Sequence, residues 1–157
     1  MRTSRLVSLA LAIGPLLSTA RAQAPRPAQD SVKRPPIIVV AVRVSLRGVE
    51  LSETQQATIK GIVNTHRPQL VVVRDSMKPW RVALQTARQN NDTAAARTAR
   101  IALRRGRLGV AMITRRALQE IRATLTTAQQ TQFDANAPRV KAMLTRFVRG
   151  DTRATGR

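Results

Sequence analysis

The chain has 157 residues, 28 Lys and Arg against eight Asp and Glu, and a formal charge of +20. There is no Cys, which excludes disulfide stapling and a Cys-linked lipid anchor. Only Trp80, Phe133 and Phe147 are aromatic, so a thick globular core is not expected. Long helices packed through Ala, Val, Ile and Leu fit better, with dimerisation burying the remaining apolar surface.

The first 24 residues read as a secretory signal peptide. Arg2 and Arg5 form a basic start, Leu6 to Leu17 an apolar stretch too short to span a bilayer, and cleavage is expected near Ala22 or Ala24. The mature protein is therefore expected in the periplasm. Residues 25–36 (PRPAQDSVKRPP) read as a flexible extended linker, within a linker region reaching residue 48. Inside it, Ile37 to Val44 is an apolar, β-branched arm. Periodicity leaves it open between a short strand, an arm docking on a partner, and a segment lying over a helical core.

A helical domain is expected over 49–150. Leu51-Ser52-Glu53-Thr54-Gln55 has the pattern of a capping box: a Ser hydroxyl to accept from the first helical turn, and a Gln three residues on to reach back to the cap. From Ser52 onward Ile59, Ile62, Val63, His66, Leu70, Val73 and Met77 share one face, continued by Trp80 and Leu84. Pro68 falls on the opposite face. Pro68 and Pro79 predict a bent element, or two helices meeting near Pro79, ending at about Arg88. Asn90 to Thr93 is a turn with Asp92 or Thr93 as the next N-cap.

The next helix is predicted from about Ala94 to Thr124. Ala99, Leu103, Gly106, Val110, Ile113, Ala117 and Ile121 form its seam. Ile101, Leu108 and Met112 cluster on the opposite side, and arginines frame them. Arg97, Arg100, Arg104, Arg107, Arg115 and Arg122 flank one edge; Arg105 and Arg116 flank the other. A helix packed only within its own monomer needs one apolar face, and this one has two. The bland alternative for the arginines is a solvated face. A second box, Leu125-Thr126-Thr127-Ala128-Gln129, opens a last helix to about Arg149, interrupted at Pro138 and closed by Gly150. Residues 151–157 read as a disordered tail.

No catalytic constellation is visible. His66 is the only His and has no triad context; it is expected to pack on the apolar face rather than bind metal. Met77, Met112 and Met143 read as core filler rather than copper ligands, and no phosphate-cradling GxxxxGK loop exists. No enzyme, cofactor or metal role is expected. Export also turns the strong basicity away from nucleic acid and toward acidic unfolded proteins, lipid head groups or surface polysaccharide.

The two Leu-(Ser/Thr)-x-x-Gln boxes, their spacing, the signal peptide and the all-helical pattern resemble the Spy/CpxP-like LTxxQ-motif periplasmic proteins, over roughly residues 45–150. The resemblance implies an all-α fold: a thin, bent antiparallel helical hairpin of three to four helices in a cradle-like homodimer. It implies an ATP-independent holdase whose basic surface holds unfolding envelope proteins. Other members of the family inhibit an envelope-stress sensor kinase, and binding to an anionic membrane surface is a further alternative. The metal-binding branch has His- and Cys-rich ligands that this chain lacks. The high Arg content and the 37–44 arm also depart from the common pattern.

Overall fold

The computed structural model describes residues 35–151, which are helical apart from short connections and contain no strand. Among the described residues there are six helices rather than three or four: α1 (Ile37–Ser45), α2 (Glu53–Ser76), α3 (Lys78–Gln89), α4 (Thr93–Ala123), α5 (Thr127–Ala135) and α6 (Ala137–Arg149). The larger number has two sources. Each long proline-bearing element divides in two, and the apolar arm is itself a helix. The first 24 residues, read as a signal peptide, residues 25–34 of the expected linker and residues 152–157 of the expected tail lie outside the described residues.

The arm is α1: it is not a strand but a helix lying over the helical core, the third of the readings that periodicity left open. Pro36 opens it, Ile38, Ala41 and Ser45 are buried, and it packs against α4 and α6. Ala41 joins Ile59, Ala111, Leu118, Ile121, Leu125, Phe133, Val140 and Leu144 in the larger apolar cluster. The β-branched composition that suggested a strand is overridden by this burial, which a nine-residue helix of low intrinsic propensity needs in order to form.

Proline acts differently at its three helical positions. Pro68 is exposed inside α2, which continues through it. Pro79 and Pro138 sit in the first turns of α3 and α6. There the missing N–H would have had no helical partner in any case. Met77 and Asn136 are the single-residue joints, both with αR backbone. Asn136 is buried, and its Nδ2 donates to Ser45 O (3.1 Å) and Arg47 O (2.8 Å). One amide thus fixes the α5–α6 joint to the end of α1. At the turn before α4, Asn91 takes a positive φ of 54°, which Asn tolerates, and the Asp92 side chain accepts from Ala95 N.

Against α2 and α3, α4 runs in the reverse chain direction. Val73 neighbours Gly109, and Met77 neighbours Gly106. A second cluster, of Met77, Leu103 and Val110, fills this contact, with Leu70, Val73, Leu84 and Phe147 around it. Gly106 is what lets the helices approach. A Cβ there would fall 2.6 Å from Met77 Sδ, and Met77 is itself only 5% exposed. Gly61, in contrast, is exposed with nothing within 4 Å of such a Cβ.

Gly61→Ala should therefore raise stability by up to about 1 kcal/mol through helix propensity alone. Gly106→Ala should lower it, because overpacking of about 1–3 kcal/mol outweighs that gain. Thermal unfolding followed by circular dichroism should give Tm shifts of opposite sign. Equal shifts would mean that Met77 does not limit the approach.

Candidate functional site: the open face of α4

Two structural features carry the sequence motifs. The first is the pair of boxes. Ser52 Oγ accepts from Gln55 N (3.2 Å), and Gln55 Oε1 accepts from Ser52 N (3.1 Å). Thr126 and Gln129 repeat this at 3.4 and 2.9 Å. Both boxes are complete.

The boxes also meet each other, which local sequence reasoning did not anticipate. Gln55 Nε2 donates to Gln129 Oε1 (2.8 Å) and to Thr124 O (3.2 Å). Gln129 Nε2 donates to Gln55 Oε1 (3.0 Å) and to Glu50 O (2.6 Å). Glu50 and Thr124 each precede the Leu of their own motif. Each Gln therefore caps its own helix and binds the carbonyl just before the other motif. Every hydrogen-bonding position of both amides is filled, so this clasp has nothing left to offer a ligand. The identical register of the two copies was the available signal.

The second feature is α4 itself. Its seam is covered as the spacing predicts: Ala99, Leu103, Val110, Ala117 and Ile121 are buried, and Gly106 and Ile113 half-buried. The covered arc is wider than one seam, however. Ala111, Thr114 and Leu118 are buried too, on the flank where α1 and α6 pack. Thr114 is tolerated there because its hydroxyl donates back to Val110 O at 2.8 Å.

The opposite side is open. Ile101 and Leu108 are each 47% exposed and Met112 61%. These three are uncovered, whereas the other large apolar residues of this helix, Leu103, Val110, Ile113, Leu118 and Ile121, are buried or half-buried. Arg97, Arg100, Arg104, Arg105, Arg115 and Arg116 are exposed around them. From Thr93 to Gln119 the helix carries no Asp or Glu. Among the described residues, Arg97, Arg100, Arg104, Arg105 and Arg115 have no carboxylate partner.

Of the arginines assigned to this face by spacing, two are engaged elsewhere and a third has a carboxylate neighbour. Arg107 is half-buried, and its guanidinium lies against Gly150, where a Cβ would come within 2.5 Å of Nη1. It stands at the C-terminal end of α6, where a cation complements the helix dipole. About 80° of helical rotation from the seam puts it on the α6 flank rather than the open side. Arg122 makes a two-pronged pair with Asp134, Nε to Oδ1 at 2.8 Å and Nη2 to Oδ2 at 2.7 Å, joining α4 to α5. Arg116 stays exposed but lies 3.6 Å from Glu120.

The Arg122 guanidinium holds the Asp134 carboxyl below its ordinary value of 3.8. A depressed folded-state value contributes stability that is full above the unfolded-chain value and is lost as pH falls through the lower folded value. Asp134→Asn should therefore unfold earlier than the parent protein near neutral pH, and the two should converge in strong acid below that value. Thermal melts across pH 2–7 check this; a gap that persists at the acid end would assign the effect to packing rather than charge.

His66 is buried, 4% exposed, as a packing residue of α2. Its Nε2 lies 3.0 Å from Glu120 Oε2, and its Nδ1 has no hydrogen-bond partner. Among the described residues no group of three or more His, Asp or Glu is placed to hold a metal ion, and no helix is long and apolar enough to cross a membrane. Trp80, which spacing places on the apolar face continued from Met77, is 40% exposed rather than packed in the core. Comparison with family models, with curated proteins and with solved structures finds no match for this chain.

Proposed function

We propose that this protein is an exported, ATP-independent holdase of the Spy/CpxP-like LTxxQ kind, and that it captures unfolded or partly folded acidic proteins on the open face of α4. The observation that carries this reading is the exposed stripe of Ile101, Leu108 and Met112, framed by arginines of which Arg97, Arg100, Arg104, Arg105 and Arg115 have no carboxylate partner among the described residues. Long-range attraction to an acidic segment speeds encounter. The apolar stripe then covers part of the client's exposed hydrophobic surface. Arginine suits both tasks, because its weakly hydrated guanidinium lies on apolar and aromatic groups and also pairs with carboxylates.

Such binding needs no nucleotide, cofactor or catalytic residue. Release follows when the client folds and buries its own apolar groups. The proposed working form is a thin, bent antiparallel hairpin paired into a cradle-like homodimer in the periplasm, after cleavage near Ala22 or Ala24. The complete boxes at Leu51, Ser52, Gln55 and at Leu125, Thr126, Gln129 support the family resemblance.

The test is light scattering of an unfolding acidic client with purified mature protein, without ATP, at low and high salt. Suppression of aggregation that weakens with salt is expected, because screening shortens electrostatic reach to about 3 Å at 1 M. No suppression at stoichiometric excess would overturn the holdase. The regulator of an envelope-stress sensor kinase, or an anionic-surface binder, would then remain. A pull-down recovering one membrane protein, or flotation with anionic liposomes, separates those two.

A further inference from the structure

The open stripe has a spacing as well as a charge. Leu108 stands seven positions after Ile101, and Met112 four positions after Leu108. At 1.5 Å rise per residue they stand roughly 10 Å and 6 Å apart along α4. An extended chain presents same-face side chains at about 6.6 Å steps and fits only the shorter interval. A helix with apolar residues seven and four apart fits both. Beyond Met112 the stripe runs into an open groove between α2 and α4, lined by Gln69, Met112, Ile113, Arg115, Arg116 and Gln119. Arg97, Arg104 and Arg115 stand along one edge, Arg105 and Arg116 along the other.

A second copy is a poor occupant. A two-fold pairing through this face would set each unpaired arginine among identical arginines, and a 27-residue stretch without acid offers nothing to offset the repulsion. Charge complementarity requires an anionic partner, and the spacing requires a helical one. We infer that the preferred occupant is an amphipathic helix of another polypeptide. It carries apolar residues at heptad-like intervals with Asp and Glu on both flanks, lies along α4, and places one large apolar side chain in the groove. This is a helix laid on a helix, read through a few anchors at helical intervals. The inference rests on the holdase reading and narrows it: captured segments retain or regain helical structure on the surface.

Two peptides of identical acidic and apolar composition test it against the mature protein. One has its apolar residues at i, i+4, i+7 and i+11; the other has them in strict alternation. Fluorescence anisotropy at low salt should show at least tenfold tighter binding of the first, and difference circular dichroism should show that it gains helicity. Met112→Glu, at an exposed position where folding is not at stake, should remove the preference. Equal binding of both peptides would overturn the helical occupant while leaving the holdase standing. Binding of neither, with client aggregation still suppressed, would place the active surface elsewhere and overturn the inference alone. Complete displacement of both peptides by anionic vesicles, with no suppression of aggregation, would make this a lipid-docking face and overturn both readings.

Discussion

Reversing three arginines on the open face, in the combined variant R104E/R105E/R115E, should slow capture of an acidic client at least tenfold at low salt while leaving helicity unchanged. Each of these side chains is exposed and lacks a carboxylate partner among the described residues, so no internal pair is broken. Each exchange changes the local charge by two units, which turns a strongly positive helix face into one of mixed sign. Electrostatic steering alone changes association rates by about 10- to 1,000-fold, and the loss should shrink as salt rises. Stopped-flow capture of a labelled client measures it. Unchanged rates at low salt would show that the arginines are only a solvated surface.

The choice of residues matters. Arg107→Glu and Arg122→Glu would look equivalent from the sequence, yet they act on the fold. The first would put a negative charge at the C-terminal end of α6, and the second would face Asp134 with another carboxylate. Both should lower Tm, so a binding defect in either would not report on the surface.

Gln55→Glu is expected to cost about 1–3 kcal/mol, because half-buried polar groups are left without partners and a carboxylate is set against carbonyl oxygens. The substitution isolates the clasp from the cap. A capping box accepts Glu as readily as Gln, so the bond to Ser52 N survives. What disappears are the donations to Thr124 O and Gln129 Oε1. Gln129→Glu should behave alike, losing its donations to Glu50 O and Gln55 Oε1. In denaturant titrations, Gln55→Ala and Gln129→Ala should be strongly non-additive, since each removes the other's partner. A Gln55→Glu protein as stable as its parent would show that the boxes act only as separate caps.

Much of the helical layout was legible because it is local. Ser52, Thr126, Asp92 and Gly150 do the capping work that their side chains or backbone freedom prescribe. The exposed stripe on α4 was legible because helical rotation follows from residue number alone. What was not legible depends on distant partners. Residues 37–45 are helical because α4 and α6 cover them, and no local pattern specifies that. Arg122 matches the open-face arginines in type and spacing, and only the position of Asp134 sets it apart; Arg107 stands nearer the seam by rotation, but that Gly150 lies against it there depends on how α6 packs. Asn136, two residues before Pro138, carries no local sign of its role, although it anchors the end of α1.

The exchange of amides between Gln55 and Gln129 ties together two helix starts that lie 74 residues apart in sequence. Isolated helix ends fray independently, each opening at its own small cost. Here neither start can open without stripping hydrogen bonds from the other, so a fluctuation at Ser52 is also one at Thr126. The two motifs form a single cooperative opening unit. Through it, anything that loosens the last two helices is felt at the first residues of α2, with the whole of α3 and α4 lying between them in the chain.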